Sequence, residues 1–192
     1  MDDLERVLGY RDYADDSRGA EMVGPEMLAM SYWKPEFCAA IIRAAEAVGG
    51  FEAQPDDPVP GHEISLAAIS PRLFEAVQDD FGMRIWPQLQ AHWPLIDYYG
   101  LRDVFVIKYQ PGMQEELRMH HDVAQVSASV KLNDDYEGAE LDFPRQGVSN
   151  ASMKVGEMLA WPSLVTHAHC SKPITKGVKY SLTFWCELPL VV

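Results

Sequence analysis

Apolar residues recur at two different spacings along the chain, and the change comes near residue 103. Before it, the period is helical. Phe37, Ile41, Ala44 and Ala45 fall on one side of a helix over 34–46, with Pro35 in the first turn and Gly49-Gly50 as the stop. A second helix is predicted from Ser70 as cap and Pro71 at the first position. It runs through Leu73, Phe74, Val77, Phe81 and Ile85, with a break expected at Gly82 or Pro87, and ends by His92-Trp93-Pro94. After residue 103 the period is that of strands. Val104–Tyr109 reads as a strand ended by Pro111-Gly112, and Val123–Leu132 as a second. Asn133–Gly138 reads as a turn, followed by short strands around 140–143, 151–155 and 157–161 and a long one over Gly177–Cys186. Helices followed by seven or eight short strands predict an antiparallel sandwich or barrel buttressed by helices.

Two stretches fall outside this pattern. Residues 1–24 are rich in Asp, Glu and Arg and poor in aliphatics, which predicts a loosely ordered N-terminal segment. Residues 52–63 carry Pro55, Pro58, Pro60 and Gly61 among acids and read as an irregular loop, suited equally to a functional role and to a surface linker. The rest, 25–192, is expected to be a single domain with a helical part over 25–100 and a β part over 101–192.

Composition narrows the setting. The three cysteines, Cys38, Cys170 and Cys186, are odd in number and lack metal-site spacing, so a disulfide framework is not expected. The acidic start lacks the features of a signal peptide, and no apolar run reaches the roughly 20 residues of a membrane span. A cytoplasmic setting with no membrane partner is the expectation. The net charge of −13 argues against nucleic acid, whose phosphates call for lysine and arginine. It is compatible with a cationic substrate, although solubility alone is the simpler account.

Candidate chemistry gathers where four of the six histidines lie, in Arg118-Met119-His120-His121-Asp122 and Thr166-His167-Ala168-His169. In an extended segment residues two apart share a side, so His120 and Asp122 can reach one ion while His121 faces away. A third ligand from the later cluster would complete a two-histidine, one-carboxylate facial triad, the pattern of non-haem Fe(II) oxygenases with open positions for other ligands. His167 and His169 share parity, and by the residues alone either can supply it. His62 and His92 read as surface or cap residues, Cys170 as a small buried one, and Trp161, Phe184 and Trp185 as core. Lys131, in line with Ser127 and Ser129, reads as part of a solvated sheet face.

Several stretches together resemble a known family. They are Phe105–Tyr109, Leu117–Asp122, Val130–Asn133 with Asp135–Gly138, Leu164–His169 and Pro173–Tyr180, with fainter likeness at Pro35–Cys38 and Glu63–Leu66. The β part resembles the 2-oxoglutarate- and Fe(II)-dependent dioxygenases, most of all the catalytic domain of procollagen-lysine hydroxylases, with prolyl 4-hydroxylases further off. The resemblance implies an α+β, mainly β fold: a double-stranded β-helix (jelly-roll, cupin-like) core with N-terminal supporting helices. It implies that His120, Asp122 and His169 are the catalytic metal ligands, His169 rather than His167 because the cation Lys179 then follows at the family's offset of ten. Lys179 would anchor the far carboxylate of 2-oxoglutarate, with Ser181, Tyr109 and Asn133 as further contacts.

The implied cofactors are Fe(II), 2-oxoglutarate and O2, with ascorbate as reductant. The implied reaction hydroxylates a C–H bond, of a lysyl or prolyl residue in a peptide or of a free amino acid, releasing succinate and CO2. Asp122 argues against halogenation, which needs that carboxylate absent. Two departures stand out: lysine at 179 where lysine hydroxylases carry arginine, and Gly138-Ala139-Glu140 where relatives have a run of glycines. The alternatives are a non-catalytic jelly-roll binding module and an oxygenase of the same superfamily acting on another small molecule. The sequence leaves the oligomeric state open.

Overall fold

The computed structural model describes residues 6–53 and 59–189, with side chains from Tyr10 onward. The described residues begin with a 3-10 helix, Arg6–Tyr13, and a hairpin of β1 (Glu21–Gly24) and β2 (Met27–Ser31). The helical part follows: α1 (Pro35–Val48), the short strand β3 (Glu63–Ser65), α2 (Leu66–Ile69), α3 (Pro71–Asp80) and α4 (Trp86–His92). Ser70 caps α3 by accepting from the Leu73 N–H, as its position before Pro71 predicts. The break expected at Gly82 or Pro87 takes the form of a π-turn over Phe81–Ile85, which links α3 to α4 without ending the helical path.

The β part supplies β4 (Leu101–Tyr109), β5 (Leu117–His120), β6 (Val126–Lys131), β7 (Tyr136–Gly138) and β8 (Leu141–Phe143). It continues with β9 (Val148–Ser149), β10 (Glu157–Pro162), β11 (His169–Ser171), β12 (Ile174–Gly177) and β13 (Lys179–Cys186). A seven-stranded sheet runs β1-β2-β10-β6-β13-β4-β3, and all its pairings are antiparallel. A four-stranded sheet, β5-β11-β8-β9, and the pair β12-β7 form the smaller side. This is the double-stranded β-helix that the resemblance implies, with helices on the outside of the large sheet.

Strand parity decides what each face of the large sheet does. Val104, Val106, Val130, Ala128, Leu182 and Phe184 point outward and pack with Ile41, Val77, Phe81 and Ile85 in one apolar core. Their neighbours Phe105, Ile107, Tyr109, Ser129, Lys179 and Ser181 point inward and line a cavity between the sheets. Cross-strand pairing orders that inner face into rungs. Tyr109 lies beside Lys179; Glu63, Ile107, Ser181 and Lys131 form the next rung; Ser65, Phe105, Thr183 and Ser129 the one after.

Several expectations need correction. The N-terminal segment 1–24 is not loosely held over its described part. Tyr10 is buried, donates to Asp80 Oδ2 at 3.1 Å and accepts from Trp33 Nε1 at 2.7 Å, and β1 pairs with β2 at the edge of the large sheet. Polar contacts fix it, which a search for aliphatic periodicity misses. The strand expected at 151–155 is a turn, and β9 lies earlier at Val148–Ser149. The strand expected from Val123 begins at Val126 because Asp122–Gln125 bend away from it. The expected turn 133–138 ends in β7, held by β12. Ser127 and Ser129 are buried inside the barrel, so Lys131 does not belong to a solvated face; its ammonium donates to the Met153 carbonyl at 3.0 Å. Of the loop expected over 52–63, residues 54–58 lie outside the described residues.

Candidate metal centre

His120 ends β5, Asp122 follows it, and His169 opens β11. The two strands pair antiparallel with His120 opposite His169, which sets their rings 4.4 Å apart between centroids. One ligand atom from each of His120, Asp122 and His169 lies within 4.8 Å of the other two. The tautomers are set by the backbone. His120 Nδ1 lies 2.8 Å from the Arg118 carbonyl and His169 Nδ1 lies 2.9 Å from the His167 carbonyl. A carbonyl only accepts, so each Nδ1 carries the hydrogen and each Nε2 presents its lone pair. Those lone pairs face the carboxylate: His120 Nε2 is 3.5 Å from Asp122 Oδ1 and His169 Nε2 is 3.7 Å from Oδ2.

The three groups shift one another's titration. Burial alone would push Asp122 up, but the neighbouring His120 and His169 imidazoles and the Ser127 hydroxyl hold it below the usual carboxylate range. Burial works against the charged form of His120 too, yet its contacts with Asp122 and the Arg118 carbonyl raise it. His169 is pulled down, chiefly by burial. Asp122 Oδ2 is buried without a hydrogen-bond partner. Two inward lone pairs and an orphaned carboxylate oxygen are a costly arrangement unless a cation joins them, so these residues fit a divalent metal.

The three residues form one wall of a cavity of about 290 Å³. That is at the small end for ligand sites and suits a compact diacid with part of a substrate. At the cavity's other reach Lys179 is almost fully buried, and its ammonium donates to the Ala139 carbonyl at 2.6 Å. Burial lowers its pKa to about 7, with Glu140 acting the other way. Tyr109 stands beside it, with the ammonium 4.8 Å from the ring centroid, and the Tyr109 hydroxyl accepts from Ser171 Oγ at 2.9 Å. Ser181, two residues along β13, faces the same cavity. The turn that holds Lys179 forms despite its missing glycines: Gly138 has φ 82° and Ala139 φ 55°, the left-handed region that L side chains occupy at a cost. At Gly138 a Cβ would sit 2.3 Å from the Pro173 carbonyl oxygen, so glycine is required there.

The other predicted residues fall elsewhere. Asn133 does not line the cavity. It is a brace, donating to the Val178 carbonyl at 2.7 Å and accepting from the Tyr180 N–H at 2.7 Å. His167 does not share a face with His169, because β11 starts only at His169. Its Nε2 donates to the Pro25 carbonyl at 3.2 Å, and its Nδ1 accepts from Thr166 Oγ1 at 2.8 Å. His121 is exposed and its Nε2 donates to the Val165 carbonyl at 3.0 Å. Residues read as core turn out to border the site. Trp161 lies edge-on to His169 at 5.1 Å and Trp185 lines the mouth under the Arg102 guanidinium, 4.8 Å from its ring. Glu63, Arg102, Phe105 and Ser171 also line the cavity; Glu63 and Phe105 lie in stretches that carry the family likeness, but the sequence assigns none of the four a role.

Residues 104–187 match the family model described as the 2OG-Fe(II) oxygenase superfamily. The chain is 37% identical over 79 residues to procollagen-lysine,2-oxoglutarate 5-dioxygenase 1 of Mus musculus, covering 40% of this chain and 11% of that protein. It is 38% identical over 86 residues to the multifunctional procollagen lysine hydroxylase and glycosyltransferase LH3 of Rattus norvegicus, covering 43% and 12%. The chain therefore spans only about a ninth of the length of the curated relatives it matches. Among solved structures it resembles the viral collagen prolyl hydroxylase vCPH from Paramecium Bursaria Chlorella virus-1, with a TM-score of 0.62 and 16% identity over 85% of this chain and 97% of that one. It likewise resembles a prolyl-4-hydroxylase of Pseudomonas putida, with a TM-score of 0.59 and 19% identity over 84% and 92%. At these identities the structural likeness speaks to the fold. The family and the relatives are 2-oxoglutarate-dependent dioxygenases, and such enzymes use Fe(II), 2-oxoglutarate and O2.

Proposed function

We propose that this chain, whose residues 104–187 match the 2OG-Fe(II) oxygenase superfamily, is a hydroxylase acting on a C–H bond of a lysyl or prolyl residue in a peptide, or of a free amino acid. One observation carries the reading: two histidine lone pairs and an orphaned carboxylate oxygen converge on a cavity that also holds a buried lysine. His120, Asp122 and His169 would hold the iron, and residues 25–192 would act as one dioxygenase domain. Iron with 2-oxoglutarate and O2 supplies the oxidising chemistry, with succinate and CO2 as by-products and ascorbate as a reductant that keeps the metal ferrous.

The chain's own residues have separate tasks. The Arg118 and His167 carbonyls fix the imidazoles so that Nε2 stays available. Lys179 pairs with the far carboxylate of the diacid as a point charge, while the Tyr109 and Ser181 hydroxyls offer shorter-range hydrogen bonds. A lysine gives less directional hold than an arginine fork, and the neighbouring hydroxyls compensate in direction. Phe105, Trp161 and Trp185 keep bulk water from the cavity, which strengthens each of these interactions.

The test pairs binding with turnover. Wild type with Fe(II) and ascorbate should convert 2-oxoglutarate to succinate. Fe(II) affinity should fall at least about 100-fold in His120→Ala, Asp122→Ala and His169→Ala and change little in His121→Ala and His167→Ala. Absence of succinate from wild type would return the chain to the class of non-catalytic binding modules. Equal Fe(II) binding by Asp122→Ala and wild type would remove the triad.

A further inference from the structure

Four side chains of fixed charge line the cavity among the described residues: Asp122, Lys179, Glu63 and Arg102. The first belongs to the triad and the second to the diacid. Glu63 stands on the rung of Ile107 and Ser181, near the diacid end. Arg102 lies at the opposite end of β4, and the reaction as proposed gives it no task.

Its direction is set by an irregularity in the sheet. Asp103 pairs with Trp185 and Leu101 with Cys186, so two steps along β4 match one along β13, and Arg102 is the extra residue. Leu101 and Val104, on either side, pack into the outer core. In a regular strand Arg102 would point outward with Val104; the bulge turns it to the cavity mouth. There its guanidinium lies 4.8 Å from the centre of the Trp185 ring, and Nη1 donates to the Val123 carbonyl. Among the described residues Nε and Nη2 have no acceptor, and no carboxylate forms an ion pair with Arg102. Asp103, its chain neighbour, is occupied instead by the Ser65 hydroxyl at 3.1 Å and the Val104 N–H at 2.8 Å.

We propose that Arg102 is a specificity-determining residue that receives a carboxylate of the substrate, which makes the substrate a small free acid such as an unblocked amino acid, not a residue within a peptide. This rests on the oxygenase reading of the same site and narrows its substrate. Nε and Nη2 form the fork that pairs with both oxygens of a carboxylate. The co-substrate does not reach it: six residues of strand separate Lys179 from Trp185, about 20 Å, far more than a five-carbon diacid spans. Val123, which holds the guanidinium, follows the ligand Asp122 in the chain. A carboxylate on Arg102 and a C–H bond presented to the metal therefore fit within one small molecule, and a cavity of about 290 Å³ has room for little more beside the diacid. The Trp185 ring excludes water from one face of the guanidinium, which strengthens an ion pair above its value on open surface. The net charge of −13 opposes an acid only over distances that salt screens, beyond about 8 Å at physiological ionic strength.

The probes are the twenty common L-amino acids, each beside its carboxamide, which keeps the side chain and removes the acid. Binding to the protein loaded with Mn(II) and 2-oxoglutarate is measured by calorimetry, and succinate formation by the Fe(II)-loaded wild type is measured separately. Wild type should bind at least one amino acid at least tenfold more tightly than its amide. Arg102→Gln should lose that preference while the affinity for the amide stays within about threefold, and Arg102→Lys should keep part of it. N-acetyl-L-aspartate methylamide carries its carboxylate on a blocked backbone and should bind wild type more weakly than the preferred amino acid. The assignment is overturned if wild type prefers no amino acid over its amide, if Arg102→Gln keeps the full preference, or if the blocked aspartate binds most tightly. If the preference is found and depends on Arg102 but no probe yields succinate, the oxygenase reading fails while the carboxylate site stands.

Discussion

The two faces of β4 and β13 are made of the same strands and have opposite purposes. Outward, Val104, Val106, Leu182 and Phe184 are fully buried against the helices. Inward, Tyr109, Lys179 and Ser181 are buried just as deeply, yet carry a hydroxyl, an ammonium and a second hydroxyl. Burial of the first set stabilises the fold. Burial of the second works against it, because desolvating an ammonium favours its neutral form. The contrast teaches that depth of burial does not by itself separate structural from functional residues here. The separation lies in whether burial leaves a polar group in need of a partner.

Substitutions that trade one face against the other test this. The largest effect on stability belongs to the outer face. Phe184→Ala should cost about 3–5 kcal/mol in urea unfolding, since it removes ring contacts with Tyr32 and Phe81, while metal affinity of the folded protein stays close to wild type. On the inner face the signs reverse. Lys179→Met should weaken 2-oxoglutarate binding at least about tenfold by calorimetry, yet raise the melting temperature at pH 6. The folded-state pKa of about 7 lies below the ordinary value of 10.5. At pH 6 the buried lysine is charged and the full cost of burial is present. As pH rises above 7 the folded protein sheds that proton before the unfolded chain does, so the gain from methionine should be smaller at pH 9.

The same group gives binding a pH dependence. A diacid pairs with the charged lysine, so 2-oxoglutarate affinity should be steady below pH 7 and fall by up to about tenfold per pH unit above it. Lys179→Arg should flatten that profile, because a guanidinium stays charged throughout. A wild-type profile flat from pH 6 to 9 would take Lys179 out of the role. The smallest effect lies behind the lysine. Ala139→Gly should relieve the left-handed strain at φ 55° and stabilise the protein by up to about 1 kcal/mol, read from the urea midpoint.

The outer face was the legible one. Alternation at Val104/Val106 and Leu182/Phe184 located β4 and β13, and helical spacing with Ser70-Pro71 located the buttress. Alternation states which residues share a side, but not what covers that side. That is why Ser127, Ser129 and Lys131 read as a solvated face although a second sheet lies over part of it. The covering strands β8, β9 and β11 have three, two and three residues, too short for a period to register. The described part of the N-terminal segment escapes the pattern for a different reason: its anchor is the polar cluster of Tyr10, Trp33, Asp80 and Arg84, residues distant in sequence. Likeness assigns Asn133 to the cavity, whereas its amide bonds to backbone, a use that residue type alone does not distinguish. His120, Asp122 and His169 were found by parity and motif together, and the fold brings their ligand atoms to one place.

The pairing of His120 with His169 across β5 and β11 also matters to the chain as a polymer. A cation bound by both closes the stretch from residue 120 to residue 169 into a loop, a reversible counterpart of a disulfide in a chain whose described cysteines are all free. The small sheet is built from strands of two to four residues, and its apolar hold on the large sheet rests on Leu141 and Phe143 of β8 with Val148 of β9. Its persistence then becomes a question of mass action, set by the concentration of free metal around the protein as much as by the packing within it.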